Sequence, residues 1–127
     1  MNLKEWTKEF IRFKDCMKRQ IITLEETEKG FLVEEKKEVK HYLVQEDLTL
    51  PEERSEKTFI MTMHTKENVQ VLKDQWEVFA KEKTLTIYFV NIKTNEKWHI
   101  QPYIHAKITE DIEKSIDILS EQIQVYL

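Results

Sequence analysis

Leu85-Thr86-Ile87-Tyr88-Phe89-Val90-Asn91-Ile92 is the stretch on which the fold turns. A strand with one wet side alternates apolar and polar residues, whereas a strand covered on both sides is apolar at both parities. Here Leu85, Ile87 and Phe89 share one parity, and Tyr88, Val90 and Ile92 share the other. The segment is predicted to be a central strand with helices on both faces of its sheet.

Upstream, Thr58–His64 reads as a strand with Phe59, Met61 and Met63 facing one way. Thr65 is placed to cap a helix over 66–82, whose buried stripe is Val69, Leu72, Trp76 and Phe79. Strand, helix and buried strand in succession predict one parallel crossover in an otherwise antiparallel sheet. Further back, Ile21–Glu26, Phe31–Lys36 and Val39–Glu46 read as strands, and Leu48–Lys57, with Pro51 and five charges, as the longest loop. Glu28-Lys29-Gly30 supplies a turn, with the only glycine where a positive φ is expected. The chain opens on a helix over 2–18. Asn2 and Glu5 have capping-box spacing, and Leu3, Trp6, Phe10, Phe13 and Met17 recur on one face.

Downstream of the central strand, a turn at 93–96 leads to a short strand at 97–101, closed by Pro102. Thr109, Glu110 and Asp111 then open a third helix striped by Ile112, Ile116, Leu119 and Ile123. The order is α-ββββ-α-ββ-α. It predicts a single α+β domain over 1–127, with a mixed, mostly antiparallel sheet of about six strands and three helices.

Composition narrows function mainly by exclusion. Of 127 residues only one is Gly, against roughly nine at average usage, so Gly-rich phosphate-cradling loops have no place here. The net charge of −4 is unevenly spread: +3 over 1–19, −6 over 20–56, +3 over 57–107 and −4 over 108–127. That balance does not predict strong non-specific nucleic-acid binding. A lone Cys16 permits no internal disulfide and no multi-cysteine zinc site. The longest apolar run, Ile87–Val90, is far short of a membrane span of roughly twenty residues. No signal-peptide core is present at the start, so a cytoplasmic setting and no membrane partner are expected.

From Phe59 to Ile100 the pattern is strand, helix with Val69-x-x-Leu72 and Trp76, buried strand Ile87–Val90, turn, and Trp98 on a short strand. This resembles the second half of the restriction-endonuclease-like fold, as in Holliday-junction resolvases, and the helix at 2–18 matches that family's N-terminal helix. The resemblance implies a carboxylate on one strand and a Glu-x-Lys on the next, with Mg²⁺ on the carboxylates and the lysine helping to activate water. At the matching end of the 58–64 strand the chain has Thr62-Met63-His64, so the resemblance implies a scaffold without its catalytic residues. The element order is also similar to that of small acidic secretion chaperones, which are dimers that bind unfolded client segments. The chain has one strand more before the middle helix.

No catalytic or metal set emerges from the residues themselves. His41, His64, His99 and His105 lack helical ligand spacing, and strand-end histidines with ordinary hydrogen bonds are the expected reading. Cys16, beside the apolar face of the first helix, is expected to be a small half-buried thiol. Glu25–Glu26, Glu34–Glu35 and Glu52–Glu53 are sequence neighbours, which a strand sends to opposite faces. Trp6, Trp76 and Trp98 are expected in packing, with Trp98 on a possible edge strand.

Two surfaces remain. Lys4, Lys8 and Arg12 recur every four residues on the first helix, and Lys93, Lys97 and Lys107, with His99 and His105, are expected to form a second basic patch. Val125, Tyr126 and Leu127 end the chain on apolar residues, which either dock on their own core or serve a subunit interface. The expectation is a small non-enzymatic binding or assembly module, homodimeric or bound to a protein partner and without a cofactor. The alternative is a nucleic-acid-associated protein on a nuclease-like scaffold lacking catalytic residues.

Overall fold

Burial separates the strands into two groups. In the computed structural model, which describes residues 1–51 and 57–127, every residue of β4 (Thr58–Met63) and β5 (Leu85–Asn91) is buried. The strands β1 (Ile21–Glu26), β2 (Gly30–Glu35) and β3 (Val39–Gln45) mix closed and open positions. In β6 (Glu96–Ile100) only Trp98 and Ile100 are buried. All six form one sheet in chain order. The pairs β1–β2, β2–β3 and β5–β6 are antiparallel, while β3–β4 and β4–β5 are parallel.

The sheet is mixed, as expected, but it contains two parallel pairs rather than one. The unforeseen return joins β3 to β4 through residues 46–57, about the dozen that a parallel crossover needs. Leu48 is buried, its N–H donates to Asn68 Oδ1 at 2.9 Å, and Leu50 packs nearby. The described part of the return therefore runs over the face that carries most of the helices. Residues 52–56 of the expected loop, Glu52–Glu53 among them, lie outside the described residues.

Five helices stand among the described residues where three were expected: α1 (Leu3–Lys18), α2 (Lys66–Asp74), α3 (Trp76–Ala80), α4 (Pro102–Ile108) and α5 (Ile112–Ser120). The expected helix over 66–82 is interrupted at Gln75 (φ −110°, ψ 24°), which re-aims α3 while Phe79 stays fully buried. Pro102 does close β6, but it also opens α4. At the first helical position its missing N–H costs nothing. The helix expected from Thr109 starts at Ile112, with the Asp111 side chain accepting from the Lys114 N–H. Asn2 and Thr65 cap α1 and α2 as their sequence positions predict.

Among the described helices α1 covers one face of the sheet, with Tyr126 packed against the same core. Leu3, Trp6, Phe10 and Ile11 meet Phe31, Val33, Tyr42, Phe59, Met61 and Tyr88 there. The other face of β4–β6 is covered by α2, α3 and α5, which pack Val69, Leu72, Phe79 and Ile116 against Ile60, Ile87, Phe89 and Trp98. Trp98 is stacked on Phe89 at 4.4 Å and buried, despite lying on the edge strand. Phe13 and Met17, expected in the buried stripe, are 77% and 89% exposed. The buried positions of α1 are 3, 6, 7, 10 and 11, so the next turn puts Lys14 over the sheet and leaves Phe13 and Met17 at the rim of the covered face. Cys16, on the same turns, is exposed rather than half-buried.

Gly30 sits at the turn with the positive φ expected there, 159°, and space forbids a side chain as well. A Cβ there would lie 1.9 Å from the Tyr42 carbonyl oxygen, so the close approach of β3 demands glycine. The left-handed positions are Arg19, the α1 cap at φ 50°, and Asn95, in the β5–β6 turn at φ 59°.

Candidate functional site

Helical geometry places Lys14 four residues after Phe10 and seven after Thr7, both buried, so a lysine occupies a sheet-facing position of α1. Its ammonium lies 5.3 Å from the Phe10 ring centroid, 5.6 Å from Phe59 and 6.0 Å from Tyr88. Three ring faces attract the cation and hold the half-buried side chain in place. Burial lowers the Lys14 pKa, Lys40 and Lys18 lower it further, and Glu35 opposes them.

Lys14 opens into a cleft of about 240 Å³ between the end of α1 and the β2–β3 turn, lined also by Lys18, Lys37, Lys40, Glu35 and Tyr42. Glu35 and Lys40 are ion-paired at 3.0 Å, both side chains 15% exposed, and Lys40 also reaches Glu38 at 3.7 Å. Lys57 bonds Glu38 at 3.1 Å, and that bond holds the Glu38 carboxyl below its usual range. Asp15 also lines the cleft, and its Oδ1 accepts from the N–H groups of Gln20 and Ile21 at 2.7 and 3.2 Å. Among the described residues, Lys14, Lys18 and Lys37 make no ion pair. Burial also raises the Tyr42 and Tyr88 phenols, keeping both neutral. The cleft thus offers three ammonium groups without an ion pair, one of them over aromatic rings, which is chemistry for holding an anion.

The residues singled out in the sequence are dispersed. Lys4 pairs with Glu26 at 3.5 Å and donates to the Thr27 carbonyl, Lys8 is half-buried, and Arg12 is exposed. Lys93 bonds the Leu127 carbonyl at 2.5 Å. Lys97 lies 5.3 Å over Phe10, and Lys107, on α4, lies 4.1 Å over Tyr103. Lys97 therefore borders the same α1-covered surface as Lys14, while Lys107 is on a helix of its own beyond β6. Tyr126 is half-buried against the chain's own core, Val125 is half-buried along a groove beside Ile123, and Leu127 is 92% exposed.

The four histidines belong to different neighbourhoods. His41 lies on β3 opposite in parity to Tyr42, His99 stacks on Tyr88 at 4.9 Å, and His105 Nε2 meets Ser115 Oγ at 2.7 Å. His64, at the end of β4, accepts from Trp98 Nε1 at 3.0 Å. Among the described residues, no three His, Cys, Asp or Glu side chains gather as a metal site. Trp6 and Trp98 are buried and Trp76 is half-buried.

From sequence, Lys14 and Lys18 only extend the positive character of the first helix, Glu35 is only one of a carboxylate pair, and Lys37, Glu38 and Lys40 are not singled out. Two signals point to them: a lysine at a sheet-facing helical position, and the triplet Glu38-Val39-Lys40 just after Glu34-Glu35. A carboxylate-x-lysine triplet was expected to be missing at the end of the 58–64 strand, and one stands instead across the β2–β3 turn. Comparison with protein-family models, with curated proteins and with solved structures finds no match to this chain.

Proposed function

We propose that the chain is a small non-enzymatic binding module that takes an anionic ligand in the cleft beneath the end of α1. The observation that carries this reading is Lys14, an ammonium held over three aromatic rings without a carboxylate partner. Lys18 and Lys37 border the same cleft and add to its positive field, while Glu35 and Glu38 are already engaged by Lys40 and Lys57. Calorimetric titration with inorganic pyrophosphate tests it. Saturable binding is expected, weakened about tenfold or more in Lys14→Met, which keeps the aliphatic stem and removes one charged contact. No saturable heat from the native chain, or equal binding by Lys14→Met, overturns the reading.

A nucleic-acid-associated protein on a nuclease-like scaffold is the second reading. Its support is the gathering of Glu35, Glu38 and Lys40 in one cleft, the residue types that the family resemblance implies on successive strands. In this arrangement Lys40 bonds both carboxylates, which favours binding over cleavage. Retention on duplex or branched DNA, falling steeply between about 50 and about 200 mM salt, supports it. No retention at the lower salt removes it. The homodimer belongs to the first reading: the half-exposed Ile22 and Val39 of β1 and β3 are apolar surface that a second copy would cover. Sedimentation as a monomer at high concentration removes that part.

A further inference from the structure

At the opposite end of the sheet from the cleft, residues 121–127 cross the carboxyl ends of β4 and β5. The Tyr126 N–H donates to the His64 carbonyl at 2.8 Å, and Asn91 Nδ2 donates to the Gln124 carbonyl at 2.9 Å. Lys93 lies 5.0 Å over the Tyr126 ring. Beneath this segment sits the His64 side chain, 1% exposed and edge-on to both Phe89 and Trp98. Its Nδ1 accepts from Trp98 Nε1, and tryptophan only donates. The neutral ring therefore carries its proton on Nε2. That atom is buried without a hydrogen-bond partner. The carbonyls of Ser120 and Ile123, where the crossing segment begins, favour the charged ring, but burial outweighs them.

A second proton has one place to go, Nδ1, where it would point at the Trp98 N–H. Two donors cannot share that position, so protonation breaks the Trp98 contact and puts a charge in an apolar pocket. The charged groups around it give little relief. Glu96 is the acid whose field reaches the ring. Asp117 of α5 is paired with Lys73 of α2, and Lys66 and Glu121 line the outer groove between those helices.

We infer that His64 is a proton-sensitive latch for residues 121–127: the neutral ring keeps the segment docked, and the protonated ring releases it. Release opens the groove of about 360 Å³ between α2 and α5, of which Ile123 and Val125 form one wall. Burial lowers the His64 pKa, placing release on the acid side of an ordinary imidazole near about 6.5.

The test is amide hydrogen exchange of Tyr126, with the His64 ring followed by NMR from about pH 7.5 to about 5. Protection corrected for intrinsic exchange should fall about tenfold or more, with the midpoint of the His64 titration. In His64→Gln, whose amide can accept from Trp98 but does not titrate, protection should be flat with pH. Trp98→Phe removes the opposing donor and should move the release to higher pH, which keeps the inference testable if His64→Gln does not fold. Protection unchanged through the His64 titration, the same fall in His64→Gln, or an unmoved midpoint in Trp98→Phe overturns it.

Discussion

The two halves of the sheet follow different rules although they share one set of ladders. Strands β4 and β5 are closed at every residue, because α1 lies on one side and α2, α3 and α5 on the other. In β1 to β3 only one parity reaches the core, through Phe31, Val33 and Tyr42, while Ile22 is 58% and Val39 45% exposed on the open parity. The closed half is parallel and the open half is an antiparallel meander. Parallel strands need crossovers, crossovers bring helices, and helices exclude water from the face they cover. The difference in burial thus follows from the way the strands are connected.

The largest effect that would sharpen this contrast is expected in the closed half. Phe89 is fully buried and stacked on Trp98, so Phe89→Ala should cost about 3–5 kcal/mol in urea unfolding. A loss near that of a surface residue would mean that β5 is not closed on both sides. Asn68 tests the seam between the halves. Its amide accepts from the Leu48 N–H and donates to the carbonyls of Glu46 and Met63, each bond near 2.8–2.9 Å. Removing it leaves buried backbone groups unpaired, and Asn68→Ala should cost about 2–4 kcal/mol by the same measurement.

Within the meander the one rigid demand is at Gly30. Gly30→Ala drives a methyl group into the Tyr42 carbonyl and should cost about 1–3 kcal/mol, with β2 and β3 amides exchanging faster than those of β5. A smaller change is expected with acid. Burial sets the His64, His99 and His105 pKa values below that of a free imidazole. The unfolded chain therefore takes up protons first as pH falls, so their contribution is complete above about 6.5 and declines below it. Urea midpoints should drop on going from neutral to mildly acid buffer, and a flat profile would contradict the burial of His64. The smallest effect belongs to the open parity: Ile22→Thr should change stability by no more than about 0.5 kcal/mol. A larger loss would show that something covers that face in solution.

The same contrast explains what could be read from the chain. Double apolar parity in 85–92 located β5 with both faces covered. The alternation in 58–64 located β4 as a strand but implied one wet side and antiparallel pairing with β3, which its complete burial and parallel register there overturn. Asn2 and Thr65 marked helix starts by a side-chain hydrogen bond that depends only on neighbours. The parallel return from β3 left no such pattern, since it is held by Asn68, twenty residues beyond Leu48. The helix α4 was hidden because a proline ends a strand and begins a helix with equal ease. The cleft was obscured for a similar reason. Lys14 falls in a run of charged residues at 12, 14, 15, 18 and 19, and only the rings of Phe59 and Tyr88, far away in sequence, distinguish it from its neighbours.

Asn68 also orders events in time. Its side chain leaves the first turn of α2 and ties the chain leaving β3 to the end of β4, so the β3–β4 seam cannot be fastened until α2 has formed and docked. The meander turns are short, but β1–β3 have one open face, whereas the segment from β4 through α2 and α3 to β5 brings together most of the doubly covered core. Folding is then expected to nucleate in the C-terminal half and to add β1–β3 afterwards. Asn68→Ala should slow refolding little and speed unfolding greatly, as a fastening made late on the path requires.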